Sequence, residues 1–341
     1  MRLPSEGEPN PNLYDLVRVE REGEGFPIEA RYQALQRTPL YAQAGEQWWW
    51  RYNRDPRRFE QGDDPIFQPT PGGYAEFQGI TVNPQLIDVL VQDLWDPSHT
   101  AQRFRHVEEH FFGKPGTFQW KQLSLVGEQR SSDADINTEL WAIIVLARID
   151  PDQAAWRYER AASYAINPDD QLWRFYFRRN SKNEKFPAGS ATQMLGVLAL
   201  ATINPAAAKQ SLARLQDYKP TRHETATGLW HFPKTSADAK PMYWDDASLR
   251  SIWFQLQFGN RGRARRAFEQ LKASVIYQPE LGLWRSVHQP SINRKKYSYM
   301  YYSEPQLLSL LIEHELAQDE LIPPSDQPPP HVVKYAQPLR D

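Results

Sequence analysis

Two kinds of helical segment alternate along the chain, as judged by the pattern of its hydrophobic and polar positions. Residues 135–148 and 190–203 are apolar on nearly all sides of a helix, which is typical of helices in a protein interior. Residues 152–165 and 206–218 instead carry one apolar stripe and one charged face. The pattern predicts repeated pairs of helices, each with one buried and one half-exposed member.

Aromatic residues mark the same repeat. Six of them recur at intervals of 53, 53, 53, 57 and 54 residues, namely Tyr14, Phe67, Trp120, Trp173, Trp230 and Trp284. A period of this length indicates one supersecondary unit repeated, with each unit burying its apolar face against its neighbours. Six such pairs, with the apolar helices inside and the amphipathic helices outside, predict an all-α fold of the (α/α)6 toroid class.

The boundaries of the repeats follow from the same pattern. The first repeat is predicted to hold helices over 28–37 and 46–53, and the second over 84–94 and 100–112. We expect one toroid domain over 1–320. The Pro-rich segment 321–341 predicts an extended strap or a disordered end.

Composition narrows the class of protein. The chain has 341 residues, 40% of them hydrophobic, and a net charge of −2. This overall charge does not indicate binding to nucleic acid or to an anionic membrane. No apolar stretch approaches a membrane span of about 18 to 20 residues. The absence of cysteine excludes disulfides and thiolate metal sites. No phosphate loop or dinucleotide motif is present, and we expect no cofactor. The sequence does not decide the cellular compartment. The protein is expected to be cytoplasmic if Met1 is native, and periplasmic or secreted if a signal peptide was removed.

The long segments that follow the repeat aromatics indicate where a cleft should open. They cover about 121–132, 174–189, 231–244 and 285–302. Because the inner helices of a toroid all run the same way, their N-terminal ends meet these segments at one end of the molecule. Loops of more than about 12 to 15 residues in a compact domain are usually functional. We therefore expect the binding site at the N-terminal ends of the inner helices.

Acidic residues recur where the inner helices begin. They are Asp133 and Asp135 at the start of the helix predicted over 135–148, Asp245 and Asp246 at the start of another predicted over 245–258, and Glu304 at the start of the last. Two carboxylates that face one cavity are the minimal equipment for general acid–base catalysis. Aspartate is also a favoured N-cap, which is an alternative role for Asp133 and Asp245. Asp135 and Asp246 are the foremost catalytic candidates.

The long segments that follow the repeat aromatics are rich in basic and aromatic residues. A cation beside a cleft favours an anionic ligand, and aromatic side chains favour sugar rings or other flat faces. The alternative is a charged rim in solvent with packed tyrosines. The candidate substrate-binding residues are Arg178, His231, Lys240, Tyr243, Trp244, His288, Tyr299 and Tyr302.

A metal-like spacing occurs in the second repeat. His106, Glu109 and His110 match the H-x-x-E-H pattern of inverted zincins. The repeat places this segment in an outer, solvent-facing helix. We therefore expect no catalytic metal there.

Two short stretches resemble terpenoid cyclases. Residues 278–284 (QPELGLW) fit the Q-x-x-x-G-x-W core of the QW motif in squalene–hopene and related cyclases. Residues 133–138 (DADINT) resemble the D-x-D-D-T start of a class II cyclase helix, with Ile136 in place of an aspartate. This resemblance implies a toroid in which Asp135 protonates an isoprenoid.

Other stretches resemble six-hairpin glycosidases and toroid polysaccharide lyases. Residues 243–246 (YWDD) are similar to the aromatic-Asp-Asp helix start of endo-mannanases and unsaturated uronyl hydrolases. Residues 132–135 (SDAD) are similar to the D-A-D helix of family 8 endoglucanases and chitosanases. These resemblances imply a single toroid domain that acts on a polysaccharide.

The sequence supports three hypotheses. The first is a glycoside hydrolase or polysaccharide lyase that acts on a bacterial, acidic polysaccharide through carboxylate or tyrosine acid–base catalysis. The second is a terpenoid cyclase-like enzyme that uses the motif at Asp133 and Asp135. The third is a toroid scaffold or binding protein in which the helix-start carboxylates are only caps.

Overall fold

The structure is a computed structural model. It describes residues 28–36, 41, 48–49, 52–53, 79–80, 82–112, 120–124, 129–131, 136–174, 188–216, 222–223, 228–231, 245–258, 260–274, 276–279, 282–284, 286–288 and 298–321. The chain forms two compact units. Unit 1 comprises Met1–Asp133 and Leu271–Leu310, and unit 2 comprises Ala134–Gln270 and Leu311–Asp341. The single domain expected over 1–320 stays a prediction, and residues 322–341 of the predicted tail lie outside the described part.

Helices dominate the described part of the chain. In chain order they are α1 (Ile28–Gln36), α2 (Val82–Asp93), α3 (Thr100–Phe111), α4 (Ile136–Ile149), α5 (Pro151–Ala165), α6 (Ser190–Ile203), α7 (Pro205–Gln216), α8 (Asp245–Gln257), α9 (Arg261–Lys272) and α10 (Ser303–Leu321). A 3-10 turn, Pro97–His99, precedes α3. None of these helices is both long and apolar enough to span a membrane.

Short strands lie between the helices. They are β1 (Tyr52–Asn53), β2 (Gly79–Ile80), β3 (Lys121–Ser124), β4 (Gln129–Ser131), β5 (Arg222–His223), β6 (Trp230–His231), β7 (Tyr277–Gln278), β8 (Leu283–Trp284), β9 (Ser286–His288) and β10 (Ser298–Tyr302). Unit 1 holds two three-stranded sheets, β1-β10-β9 and β2-β3-β4, and the pair β7-β8, whereas unit 2 holds the pair β5-β6. All of these pairings are antiparallel.

Unit 2 shows the predicted alternation of buried and half-exposed helices. Helix α4 is buried along almost its whole length, and it packs against α6, which in turn packs against α8. Helix α5 packs on α4 and α7 packs on α6. In α5 only Ala154, Arg157, Ala161 and Ala165 are buried. The turn between α4 and α5 is closed by Asp150, whose side chain accepts a hydrogen bond from the Gln153 N–H, and by a proline at the first helical position.

The repeat has a regular period in the structure. The buried helices α2, α4, α6, α8 and α10 begin at residues 82, 136, 190, 245 and 303, at intervals of 54, 54, 55 and 58 residues. The all-α class is confirmed, as are the paired buried and half-exposed helices of the (α/α)6 toroid class.

A hydrogen-bonded motif, which we call the tryptophan clamp, recurs in the repeat. The fourth residue of a buried helix bonds both the backbone N–H and the backbone C=O of the tryptophan that precedes that helix. The pairs are Gln85 with Trp49, Gln193 with Trp173, Ser248 with Trp230 and Gln306 with Trp284. Each clamp therefore satisfies buried backbone groups that stand outside helices, which would otherwise be costly.

The tryptophans that mark the repeat belong to the core. Four of the six predicted repeat aromatics, at positions 120, 173, 230 and 284, are 1 to 4% exposed. Gly196 of α6 lies directly under the Trp173 indole, and a methyl group at this position would overlap that ring. These buried tryptophans are therefore structural.

The first repeat differs from the prediction in one element. Residues 46–53 were expected to be helical, and this prediction is wrong. Trp49 forms an antiparallel bridge with Tyr41, and Tyr52–Asn53 is strand β1. The reason is the clamp, because Gln85 takes both backbone groups of Trp49 that a helix would use. The repeat aromatics predicted at Tyr14 and Phe67 lie outside the described residues.

Candidate functional site

The N-terminal end of α8 in unit 2 carries the foremost predicted carboxylate. Helix α8 begins at Asp245, and Asp246 follows in its first turn. Positions 246, 250 and 253 are spaced i, i+4 and i+7, so they lie on one face of the helix. The side chains of Asp245 and Asp246 are outside the described part, but the helix face that Asp246 begins can be followed through the next two turns.

Arg250 lies one turn after Asp246 and is buried, with 3% of its surface exposed. Its Nη1 donates to the backbone carbonyl of Ala191 in α6 at 2.6 Å. Its guanidinium carbon lies 5.5 Å from the centroid of the Trp141 ring in α4. One buried cation of α8 therefore contacts the other two buried helices of unit 2, α4 and α6.

Trp141 and Trp253 form an aromatic surface beside this cation. Their ring centroids are 6.1 Å apart and the ring planes are inclined by 22°. Both side chains are buried, and Trp141 Nε1 has no hydrogen-bond partner among the residues that the structure describes. A buried N–H without a partner is uncommon in native proteins, and an unobserved water or ligand is a common reason. The arrangement offers a hydrogen-bond donor, a cation and two flat rings.

The clamp at Trp230 brings a further predicted residue to this end of α8. Ser248 bonds the backbone of Trp230, and His231 is the next residue of strand β6. His231 thus follows the clamp directly, at the end of α8 that carries Asp245 and Asp246. The roles of Asp245, Asp246 and His231 stay predictions.

Unit 1 groups another set of predicted residues at the start of α10. In the β9-β10 pairing, Ser298 is opposite His288 and Tyr299 is opposite Val287. Tyr302 ends β10, and its carbonyl accepts from Gln306 Nε2. Glu304 lies in the first turn of α10.

Six predicted site residues lie outside the described part of the chain. They are Asp133, Asp135, Arg178, Lys240, Tyr243 and Trp244. The predicted distance between the carboxylates of Asp135 and Asp246 is therefore not tested. Their roles stay predictions.

Sequence reasoning did not single out the buried ion pair of unit 2. Glu139, the fourth residue of α4, accepts from Arg157 Nε and Nη2 of α5, both at 2.7 Å. The two side chains are 0% and 6% exposed. This bidentate geometry links a buried helix to its outer partner. The fourth position of the repeat is the signal that could have identified Glu139.

Sequence reasoning also missed a polar network in unit 1. Tyr32 of α1 is hydrogen bonded to Asp88 of α2, and Gln92 Nε2 donates to both Tyr32 Oη, at 3.0 Å, and Asp88 Oδ2, at 2.8 Å. Burial raises the pKa of Asp88 to about 6, against the lowering effect of these hydrogen bonds. Burial, and then the Asp88 charge, raise the pKa of Tyr32 as well. An aspartate in the middle of an apolar helix was the available signal.

The zincin-like residues lie on the outer helix α3, as predicted. His106 and Glu109 are exposed, and His110 is half-buried. Among the described residues no group of three or more histidine, aspartate or glutamate side chains is placed to hold a metal ion.

Comparison with known proteins finds similarity in the path of the backbone. No family model and no curated protein matches the sequence. The chain is similar to a GH76 α-mannanase from Bacteroides thetaiotaomicron, with 10% identity over 91% of this chain and 84% of that one and a TM-score of 0.48. It is similar to an α-amylase from Clostridium perfringens, with 11% identity over 89% and 85% and a TM-score of 0.45. It is also similar to a polysaccharide lyase, with 12% identity over 92% and 91% and a TM-score of 0.43.

These solved structures include the enzyme classes whose resemblance was predicted, six-hairpin glycosidases and a polysaccharide lyase. That predicted resemblance is confirmed. At these identities and TM-scores it assigns no reaction to this chain.

Proposed function

We propose that the protein is a carbohydrate-active enzyme, a glycoside hydrolase or polysaccharide lyase that acts on a bacterial, acidic polysaccharide. The observation that carries the proposal is the face of α8 on which Asp246, the buried Arg250 and Trp253 follow one another. Helix α8 then carries three groups suited to such a substrate. They are a carboxylate for proton transfer, a cation for an acidic sugar and an aromatic face for a sugar ring.

Asp246 occupies a position that suits a carboxylate. It lies in the first turn of a helix, where the backbone dipole stabilises negative charge, and the Arg250 guanidinium belongs to the next turn of the same face. We assign Asp246 the role of base. Asp135, directly before α4, is then the acid.

The hydrolytic step follows from these roles. Asp135 donates its proton to the glycosidic oxygen as the bond from that oxygen to the anomeric carbon breaks. A water molecule attacks the anomeric carbon and gives a proton to Asp246. A carboxyl separation of about 6.5 to 9.5 Å, which leaves room for that water, would give inversion of the anomeric centre.

Elimination is the alternative route to chain cleavage. In that case Tyr301 or Tyr302, together with His288, would act as the acid and base groups. The products distinguish the routes, because elimination leaves an unsaturated uronate that absorbs in the ultraviolet whereas hydrolysis does not.

The test is a turnover assay on a panel of neutral and acidic polysaccharides, with new reducing ends and ultraviolet absorbance as readouts. We expect cleavage of an acidic polymer, and a loss of about 10² to 10⁴-fold in rate for Asp246→Asn. The matched control is Asp152→Asn, the same change in the first turn of the outer helix α5, where the side chain is exposed. Equal rates for Asp246→Asn and the parent, or binding without turnover of any polymer, would contradict the proposal.

One observation favours the cyclase-like alternative. The stacked Trp141 and Trp253 rings could stabilise a carbocation through their π faces. The Arg250 cation over the same Trp141 ring opposes this role, because two positive charges would share one face. Conversion of an isoprenoid by the parent, lost in Asp135→Asn, would decide for the cyclase. The scaffold alternative predicts that Asp135→Asn and Asp246→Asn both leave function unchanged.

A further inference from the structure

Two histidines of α3 lie one helical turn apart in unit 1. His106 and His110 are spaced i, i+4 and so belong to one face of the helix. His106 is exposed and His110 is half-buried, so both rings are within reach of solutes. Neither residue takes part in the proposed reaction.

The ring of His110 is fixed in orientation and in tautomer. Its Nδ1 lies 2.8 Å from the backbone carbonyl oxygen of His106. Because a carbonyl only accepts, Nδ1 must carry the proton in this contact. The lone pair of the neutral ring is then on Nε2, and this is the arrangement that orients most metal-binding histidines in proteins.

The ring of His106 is held by an aromatic neighbour. It stacks on the Trp48 indole at 5.1 Å between centroids, with the planes inclined by 13°. Trp48 is buried and also packs edge-on against Phe111 of the same helix. Both imidazoles are therefore oriented before any ligand arrives, which lowers the entropic cost of binding.

The separation of the rings selects the geometry of a shared ligand. The two ring centroids are 4.2 Å apart, with an interplanar angle of 63°. A metal about 2.0–2.1 Å from one nitrogen of each ring, in line with that nitrogen and its ring centroid, lies about 3.2 Å from each centroid, and the N–metal–N angle is then roughly 80–85°. That angle is close to the roughly 90° of neighbouring ligands in a tetragonal site, and well below the roughly 109° of a tetrahedral one.

We propose that His106 and His110 form a two-histidine site for a divalent transition metal in tetragonal coordination, Cu(II) first and Ni(II) second. Imidazole nitrogen suits both metals, and the general order of affinity places Cu(II) above Ni(II) and Zn(II). Water completes the coordination sphere, consistent with the absence of a third histidine or carboxylate ligand among the described residues. The site is a surface chelate and supplies no step of the proposed carbohydrate reaction.

The test uses the full chain, stripped with a chelator and exchanged into a non-coordinating buffer. It is titrated with CuCl2, NiCl2 and ZnCl2 by calorimetry. We expect one Cu(II) site that is tighter than the Ni(II) site, with Zn(II) weakest. Electron paramagnetic resonance of the Cu(II) form should show two equatorial nitrogen ligands. Zn(II) binding tighter than Cu(II), or a Cu(II) spectrum without nitrogen couplings, would overturn the proposal.

Substitutions locate the site. His106→Gln and His110→Gln should each lower Cu(II) affinity at least about tenfold, since each removes one of two chelating nitrogens. His99→Gln is the matched control, because His99 is an exposed histidine next to the same helix, bonded to Asp96 instead. Circular dichroism confirms that each variant is folded. Unchanged Cu(II) affinity in the double variant His106→Gln/His110→Gln would disprove the site.

Discussion

Glu139 of unit 2 and Asp88 of unit 1 are both carboxylates on buried helices, but their partners differ in charge. Glu139 meets the Arg157 guanidinium in a bidentate ion pair. Asp88 meets the neutral donors Tyr32 and Gln92, and burial raises its pKa to about 6. The comparison teaches that a buried carboxylate can be stabilised either by a paired cation or by neutral hydrogen-bond donors, and that burial among neutral donors raises the pKa of Asp88.

The largest effect should come from breaking the ion pair. Arg157→Met leaves the Glu139 charge buried without its cation and should lower the free energy of unfolding by about 3 to 5 kcal/mol at pH 7. Urea denaturation followed by circular dichroism measures this change. The double variant Arg157→Met/Glu139→Leu should recover most of the loss, because replacing both charges by apolar groups removes the unpaired charge.

The control for this experiment is Arg160→Met on the same helix. Arg160 stacks on the exposed Trp156 ring at 5.2 Å, so its removal should cost less than about 1 kcal/mol. Similar losses for the two arginine variants would refute the special role of the buried pair.

A smaller effect, which depends on pH, should follow from Asp88→Asn. A carboxyl whose folded pKa is raised favours the folded state at low pH, and that contribution is lost as the pH rises from the unfolded value of 3.8 to about 6. The variant should therefore gain up to about 2 kcal/mol relative to the parent between pH 4 and pH 7. Urea unfolding across this range measures it. A difference that does not vary with pH would show that Asp88 does not titrate in the folded protein.

The smallest effect should come from Tyr32→Phe. This change removes the hydroxyl that bonds Asp88 and accepts from Gln36 and Gln92. We expect a loss of about 1 kcal/mol at pH 5, and a larger loss at pH 8, where the carboxylate is charged and needs the donor. Tyr164→Phe, at an exposed tyrosine of α5, is the control. Equal losses at both pH values would show that the Tyr32 hydroxyl does not stabilise the charged form of Asp88.

Helix periodicity was the part of the fold that the sequence predicted best. The predicted helix over 190–203 coincides with α6, and the predicted start of α8 at residue 245 is also correct. Helix α6 is apolar on nearly all sides, so its pattern is strong over a length of 14 residues.

Long-range hydrogen bonds were the part that local patterns could not predict. Residues 46–53 looked helical, but Gln85, 36 residues further along, determines the backbone of Trp49. The link between Glu139 and Arg157 spans 18 residues and two helices. Such pairings depend on how helices pack, which single-residue properties do not encode.

The helix start that carries Asp246 was predicted from the sequence. The buried residues that follow it were not. Asp246 was identified from its place at a helix start, which the structure confirms. Arg250 and the Trp141–Trp253 pair were not singled out, because a cation and two indoles within apolar helices look like ordinary helix residues until the helices are packed together.

The tryptophan clamp has a consequence for how the chain can be rebuilt. It joins a tryptophan to a residue 36, 20, 18 or 22 positions later, so the connecting segment begins and ends at fixed points whatever its length. Closing a longer segment between fixed points costs only about 0.6 kcal/mol for each doubling of its length. The connections that the clamps close can thus be exchanged or lengthened at little cost to the stability of the core.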